Sequence, residues 1–169
     1  MSGSTTTRID GPLVYLEVPG VEHLPAIWKV YLDAPDYFEA LTGNADFDPV
    51  DVEMMYEEAI SDENRFYFAV RRTDSKTLIG TIEVEVGSDE VPATLRGLLL
   101  AQAERGKGYG RAALELVEGF LSDEFGVPTI AADVPEGYDD GERFLAAMGY
   151  RQRRLKSGDT RWVKRISEE

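Results

Sequence analysis

Three apolar runs between Arg65 and Ala103 constrain this chain more than any other feature. Arg65–Arg71 (RFYFAVR) is aromatic and β-branched, Leu78–Val86 (LIGTIEVEV) alternates apolar and polar side chains, and Thr94–Ala103 (TLRGLLLAQA) is strongly apolar. The six or seven residues between successive runs are too few for a helical crossover, so the runs are expected to be antiparallel neighbours in one sheet. A glycine-rich turn follows, and then Tyr109, Ala112, Ala113, Leu116, Val117, Phe120 and Leu121 recur at helical spacing until Gly126 and Pro128. The next apolar run, Thr129–Val134, is reached through that helix and so should lie parallel to the strand before it.

The flanks complete the pattern. Leu13–Val18 reads as a first strand ended by Pro19-Gly20, and Val21–Leu32 carries a helical apolar stripe. Tyr37–Leu41 reads as a short turn before Gly43, and Asp48-Pro49 opens a second helix that runs to about Ile60. Downstream, Glu142–Met148 forms a short helix closed by Gly149. Tyr150–Lys156 and Thr160–Ile166 are expected to pair across Ser157-Gly158-Asp159. The chain has 169 residues, enough for one domain. The expected architecture is α+β: a flexible segment 1–10, then a single domain over 11–169 with a mixed sheet. That sheet is mostly antiparallel with one parallel pair, flanked by about four helices.

Composition removes several chemistries. With no cysteine, disulfide frameworks, thiolate metal sites and a cysteine nucleophile are excluded, and with His23 the lone histidine, so are histidine-rich metal sites. Asn44-x-Asp46-x-Asp48 is followed by Pro49 where a calcium loop needs glycine, so the acidic clusters read as caps and solvated loops and no metal is expected. The net charge of −14 opposes nucleic-acid binding. No apolar run approaches a membrane span, and Met1–Thr7 does not read as a signal peptide, so the expected location is cytoplasmic.

The charge is uneven. Residues 1–100 carry −12, 101–149 carry −6 and 150–169 carry +4. The acidic body serves solubility or attracts a cationic substrate. The basic final hairpin against that body suggests self-association, with a homodimer as the expected form. Inside the acidic middle stand Arg105, Lys107 and Arg111, interleaved with Gly106, Gly108 and Gly110.

That turn sits between an apolar strand and the start of a helix. Amides at such a place have no intrahelical partner and, with the helix dipole, suit a pyrophosphate. Glycine lets a phosphate approach the backbone, and the three cations add charge-assisted contacts. The string is not a P-loop. Gly106, Gly108 and Gly110 give G-x-G-x-G rather than the dinucleotide G-x-G-x-x-G, although Asp133 follows where a ribose-binding acid could stand.

Arg105-x-x-Gly108-x-Gly110, after an apolar strand and opening a long helix, resembles the [QR]-x-x-G-x-[GA] signature of the GNAT superfamily of N-acetyltransferases. The element order resembles that family over nearly the whole chain, as does the closing Arg143-Phe144-Leu145-Ala146-Ala147-Met148-Gly149-Tyr150.

The resemblance implies acetyl-CoA as cosubstrate, held by Arg105, Gly106, Lys107, Gly108, Tyr109, Gly110 and Arg111 at its pyrophosphate. Its pantetheine arm would pair with the backbone of Leu98, Leu99 and Leu100 while Thr129–Val134 splays away. An amide near Leu99 or Leu100 would stabilise the oxyanion. The implied reaction moves an acetyl group directly to a primary amine of a small molecule or an exposed peptide. Glu83 is the first candidate for base or amine anchor. The position where many members carry a tyrosine acid is Leu145, which leaves Tyr138 as the substitute. Tyr37 and Phe38, with the early helices, are candidates for the acceptor pocket by the same resemblance. Two other readings stay open: a module that binds acyl-CoA without turnover, and a dinucleotide-dependent enzyme.

Overall fold

A computed structural model describes residues 7–34, 49–88, 90–134, 139–156 and 160–167. The elements are β1 (Arg8–Ile9), β2 (Val14–Glu17), a 3-10 turn (Val21–His23), α1 (Leu24–Leu32) and α2 (Pro49–Ile60). Then come β3 (Arg65–Arg72), β4 (Leu78–Glu85), β5 (Ala93–Leu100), a 3-10 turn (Gln102–Glu104) and α3 (Tyr109–Phe125). The chain finishes with β6 (Thr129–Val134), α4 (Asp139–Ala147), β7 (Arg151–Arg154) and β8 (Thr160–Arg165). Tyr37, Phe38, Asp46, Asp48, Glu136, Tyr138 and the turn at 157–159 lie outside the described residues.

The strands form one sheet in the order β1-β2-β3-β4-β5-β6-β8-β7. β3, β4 and β5 are antiparallel neighbours, as their short connections demand, and β5–β6 is the parallel pair. The sheet reaches further at both ends than the sequence suggests. Arg8–Ile9, expected to be flexible, pairs with Leu16–Glu17. At the other end β8 inserts between β6 and β7, so the final hairpin joins the sheet by its second strand.

Alternation along β4 divides the interior between two faces. Ile82 and Val84 enter a core with Phe66, Phe68, Leu114, Val117 and Phe120, beneath α3. Tyr67 and Leu99 turn the other way and pack with Ile27, Tyr31, Val52 and Tyr56 of α1 and α2, where Trp28 also packs partly buried. At the centre of the first core the Phe120 ring stands edge-on to Phe66 at 5.0 Å, Phe68 at 5.8 Å and Phe125 at 5.6 Å.

One buried carboxylate fixes α3 to the last strands. Glu118 accepts from the Tyr150 hydroxyl at 2.8 Å and from Lys164 Nζ at 3.0 and 3.2 Å. Burial, and then the neighbouring Glu118 charge, push the Tyr150 phenol up, so it stays a donor.

Phe120→Ala removes the aromatic hub and should cost about 3–5 kcal/mol of unfolding free energy. Gly119 lies one residue earlier with open space around any added Cβ, so Gly119→Ala should instead stabilise by about 0.5–1 kcal/mol. Urea unfolding of both variants checks the two signs.

Candidate active site

The site begins as a fault in the sheet. Along β4–β5, Glu83 lies opposite Gly97 and Val84 opposite Leu95, so Arg96 is an extra residue and β5 bulges there. On its other side β5 pairs with β6 only from Ala93–Leu95 to Ile130–Ala132. Beyond that the two strands part, and a cleft of about 580 Å³ opens between them.

The ladder decides which main-chain groups face this opening. The Ala101 amide donates to the Ile79 carbonyl at 2.9 Å, and Leu99 lies opposite Thr81. Antiparallel alternation then turns Leu99 toward β4, and the main-chain groups of Leu98 and Leu100 toward the cleft. Arg105 Nε donates to the Leu100 carbonyl at 3.2 Å from that side. Of the two amides singled out from sequence, Leu100 is therefore the available donor and Leu99 is consumed by the sheet.

The glycine turn closes one end of the cleft. Gly106 and Gly108 have φ of +76° and +87°, a left-handed conformation that side chains resist. Gly108 caps α3 without any side-chain hydrogen bond. The first bond of the helix runs from the Ala112 amide to the Gly108 carbonyl at 3.0 Å, so the amides of Tyr109, Gly110 and Arg111 precede it without an intrahelical partner. A Cβ on Gly106 would meet nothing within 4 Å, and one on Gly110 would reach Leu100 at 3.4 Å and Phe144 at 3.5 Å.

Leu98, Leu99, Leu100, Arg105, Gly106, Gly108, Gly110 and Arg111 line the cleft together. Lys107 and Tyr109 do not. Lys107 Nζ lies 3.5 Å from Glu104 on a half-exposed side chain, as Arg111 Nε lies 3.7 Å from Glu115. The buried Tyr109 ring sits 5.4 Å from the Arg72 guanidinium, which leaves Tyr109 only its main chain to contribute. The opposite wall is Ala132–Val134 of β6, the strand expected to splay away, together with Asp140, Arg143 and Phe144 of α4, which were not read from sequence as lining. Phe144 and Arg143 stood in the closing motif, but no spacing rule brings that short helix back to the turn. Asp133 reaches the cleft, yet its carboxylate is held by Arg161 at 2.9 and 3.2 Å. Leu145 lines the wall too, and offers no hydroxyl.

Glu83 is not among the lining residues. It is buried on the face of α1 and α2, accepts from Arg65 Nε at 2.6 Å, and lies 3.5 Å from Arg96 Nε. Burial pushes its carboxyl above the usual range, against the pull of the Arg65 and Arg96 guanidiniums. Gly97, directly across from it, does line the cleft and has no side chain to stand between them. Nearby, Tyr31 and Tyr67 join hydroxyls at 3.2 Å, and burial pushes both phenols up.

The turn offers amides without intrahelical partners, and the cleft side of β5 offers main-chain groups that no strand pairs. The sheet's single parallel pair cannot build the successive crossovers of a dinucleotide fold, so that reading falls. Residues 27–150 match the model of the family described as Acetyltransferase (GNAT) family. The chain belongs to this family.

Solved structures repeat the GNAT fold over nearly the whole chain. An acetyltransferase from Thermus thermophilus superposes with a TM-score of 0.79 at 24% identity, covering 91% of this chain and 97% of that one. A GCN5-related N-acetyltransferase from Brucella melitensis gives 0.78 at 16% identity, over 95% and 79% of the two chains. The PaiA N-acetyltransferase from Thermoplasma acidophilum, solved in complex with coenzyme A, gives 0.67 at 18% identity, over 90% and 98%. No curated protein matches the sequence. Acyl transfer from acetyl-CoA is the chemistry of the GNAT family, and no described helix is long and apolar enough to cross a membrane.

Gly110 separates space from strain, because its φ is not in the left-handed region. A Gly110→Val side chain would crowd Leu100 and Phe144 in the cleft wall. Calorimetry should show acetyl-CoA affinity falling by at least about tenfold, a loss of about 1.4 kcal/mol, in a protein that still unfolds cooperatively.

Proposed function

We propose that this GNAT domain moves the acetyl group of acetyl-CoA directly to a primary amine, on a small molecule or an exposed peptide, with Glu83 receiving the proton. The observation that carries the reading is the open edge of β5. Its cleft-facing main-chain groups at Leu98 and Leu100, which no strand pairs, run toward the start of α3, where no side chain caps the first amides.

Acetyl-CoA supplies an activated acyl group, and the residues of the chain do the rest. The amides from Gly106 to Arg111 hold the pyrophosphate, with Arg105 and Arg111 adding charge. Leu98 and Leu100 align the pantetheine arm as an added strand would align. The Leu100 amide donates to the carbonyl oxygen as negative charge develops there. With no cysteine in the chain to carry the acyl group, a direct transfer is the simplest course.

The acceptor arrives protonated. A primary amine of pKa near 10.4 must give up a proton at a cost of about 4–5 kcal/mol at neutral pH. The Glu83 carboxyl, raised by burial and separated from the cleft by the bare backbone of Gly97, is the group suited to take that proton directly or through water. Tyr138 remains the proposed acid for the leaving thiolate. The acidic body favours approach of a cationic acceptor.

A second reading rests on particular residues. Arg65 and Arg96 already engage Glu83, and Leu145 offers the cleft no proton donor. A module that binds acyl-CoA without turnover would look like this. Thiol release across a panel of amines separates the two, since a binding module releases none.

For the enzyme, Glu83→Gln should lower kcat/KM by about 10²–10⁴ while acetyl-CoA binding stays unchanged. The wild-type profile should fall toward acid as Glu83 gains its proton, with a midpoint above the ordinary glutamate value of about 4.3, and the variant should lack that limb. An unchanged kcat/KM in Glu83→Gln would remove Glu83 from the mechanism.

A further inference from the structure

The end of the sheet carries a charge pattern that neither the core nor the cleft uses. β7 reads Arg151-Gln152-Arg153-Arg154, with all four residues exposed, and it forms the outer edge beyond β8. Lys156 follows, also exposed. Elsewhere the arginines of the described residues have partners. Arg71 is on Glu17, Arg72 on Asp74, Arg143 on Asp140 and Arg161 on Asp133, and even Arg105 and Arg165 reach the carbonyls of Leu100 and Ser167. The three arginines of β7 and Lys156 have none among the described residues. In a chain of 32 acidic and 18 basic side chains, carboxylates are not scarce. Among the described residues, this cluster stands apart from them.

The register adds a second observation. Arg153 lies directly across from Arg161, and like charges at opposed positions of an antiparallel pair destabilise it. Asp133 takes Arg161 with both oxygens and leaves Arg153 uncompensated. A concavity of about 590 Å³ beside the edge is lined by Arg151, Arg153, Lys164 and Arg165.

We propose that the outer edge of β7 docks an extended acidic segment of a partner protein, whose main chain continues the sheet and whose carboxylates pair with Arg151, Arg153 and Arg154. An open strand edge presents the N–H and C=O groups that an incoming strand needs. Guanidinium forks match carboxylates in two-bond geometry. Four strand residues span about 13 Å at about 3.3 Å each, the length of a short acidic run. A nucleic acid would run past the patch onto a body carrying −18 outside residues 150–169, and it offers no strand hydrogen bonds. A second copy meets its own obstacle. Pairing β7 with β7 sets arginine against arginine, and seating β7 on another copy's acidic surface is a head-to-tail contact, which closes only where its rotation generates a ring. This inference stands apart from acetyl transfer.

Fluorescence anisotropy with a short peptide of alternating glutamate and threonine tests it at low salt. A glutamine–threonine counterpart and a single-stranded oligonucleotide of equal charge serve as comparisons. The acidic peptide should bind, and about tenfold more weakly in an Arg151→Gln/Arg153→Gln variant that keeps its acetyl-CoA affinity. An acidic peptide N-methylated on alternate residues should fail to bind wild type, a readout that needs no variant to fold.

Absent binding at low salt, equal binding by the methylated peptide, or tighter binding of the oligonucleotide would overturn the proposal. So would light scattering showing that wild-type chains pair with each other through this edge. If the charges serve only to keep strands off the edge, wild type ignores the peptide and the glutamine variant self-associates.

Discussion

The parting of β5 from β6 after Leu95 and Ala132 is the feature on which the rest of the structure depends. A parallel pair is normally bonded along its length and buried on both faces. Here the bond ladder stops after a few residues. The bulge at Arg96 occurs where it stops, and the main-chain groups of Leu98 and Leu100 are left without a strand on that side. Backbone groups need partners; Arg105 supplies one to the Leu100 carbonyl, and the other cleft-facing groups of Leu98 and Leu100 stand where a polar, extended ligand could bond them. The glycine turn then sets the direction, because the amides ahead of α3 stand at the end of that same edge.

Much of this was legible beforehand, for physical reasons. Short connections forced β3, β4 and β5 to be antiparallel, and one helix forced β6 to be parallel. Glycines at 106 and 108 were read as room for a phosphate, and the chain also uses both for left-handed backbone. What stayed hidden was set by distance in space. β8 enters between β6 and β7 through a choice of neighbour that alternation along either strand does not encode. The Arg96 bulge shifts the β4–β5 register, and the isolated Gly97 beside it is the residue in the run that could have marked it. The α4 wall, with Arg143 and Phe144, comes from a segment more than thirty residues beyond the turn. Even inside the turn, alternation does not show that Lys107 and Arg111 stand near Glu104 and Glu115, at 3.5 and 3.7 Å.

Electrostatics ties the two halves of the account together. Glu83 is buried, raised and flanked by arginines, so it is held in one place while remaining a better proton acceptor than an exposed glutamate. Outside β7 the arginines of the described residues are each matched to an acceptor, while along β7 they are not. Charge in this protein is thus partitioned by position. The cleft end is cationic on backbone and side chain, the face of α1 and α2 carries a restrained carboxylate, and the far edge is basic.

Hydrogen exchange at individual amides tests the central claim most directly. On addition of acetyl-CoA, the amides of Leu98 and Leu100 and those from Gly106 to Arg111 should gain protection, while Leu99, already bonded within the sheet, should change little. Protection appearing elsewhere with these amides unmoved would contradict the assignment of the cleft as the acetyl-CoA site.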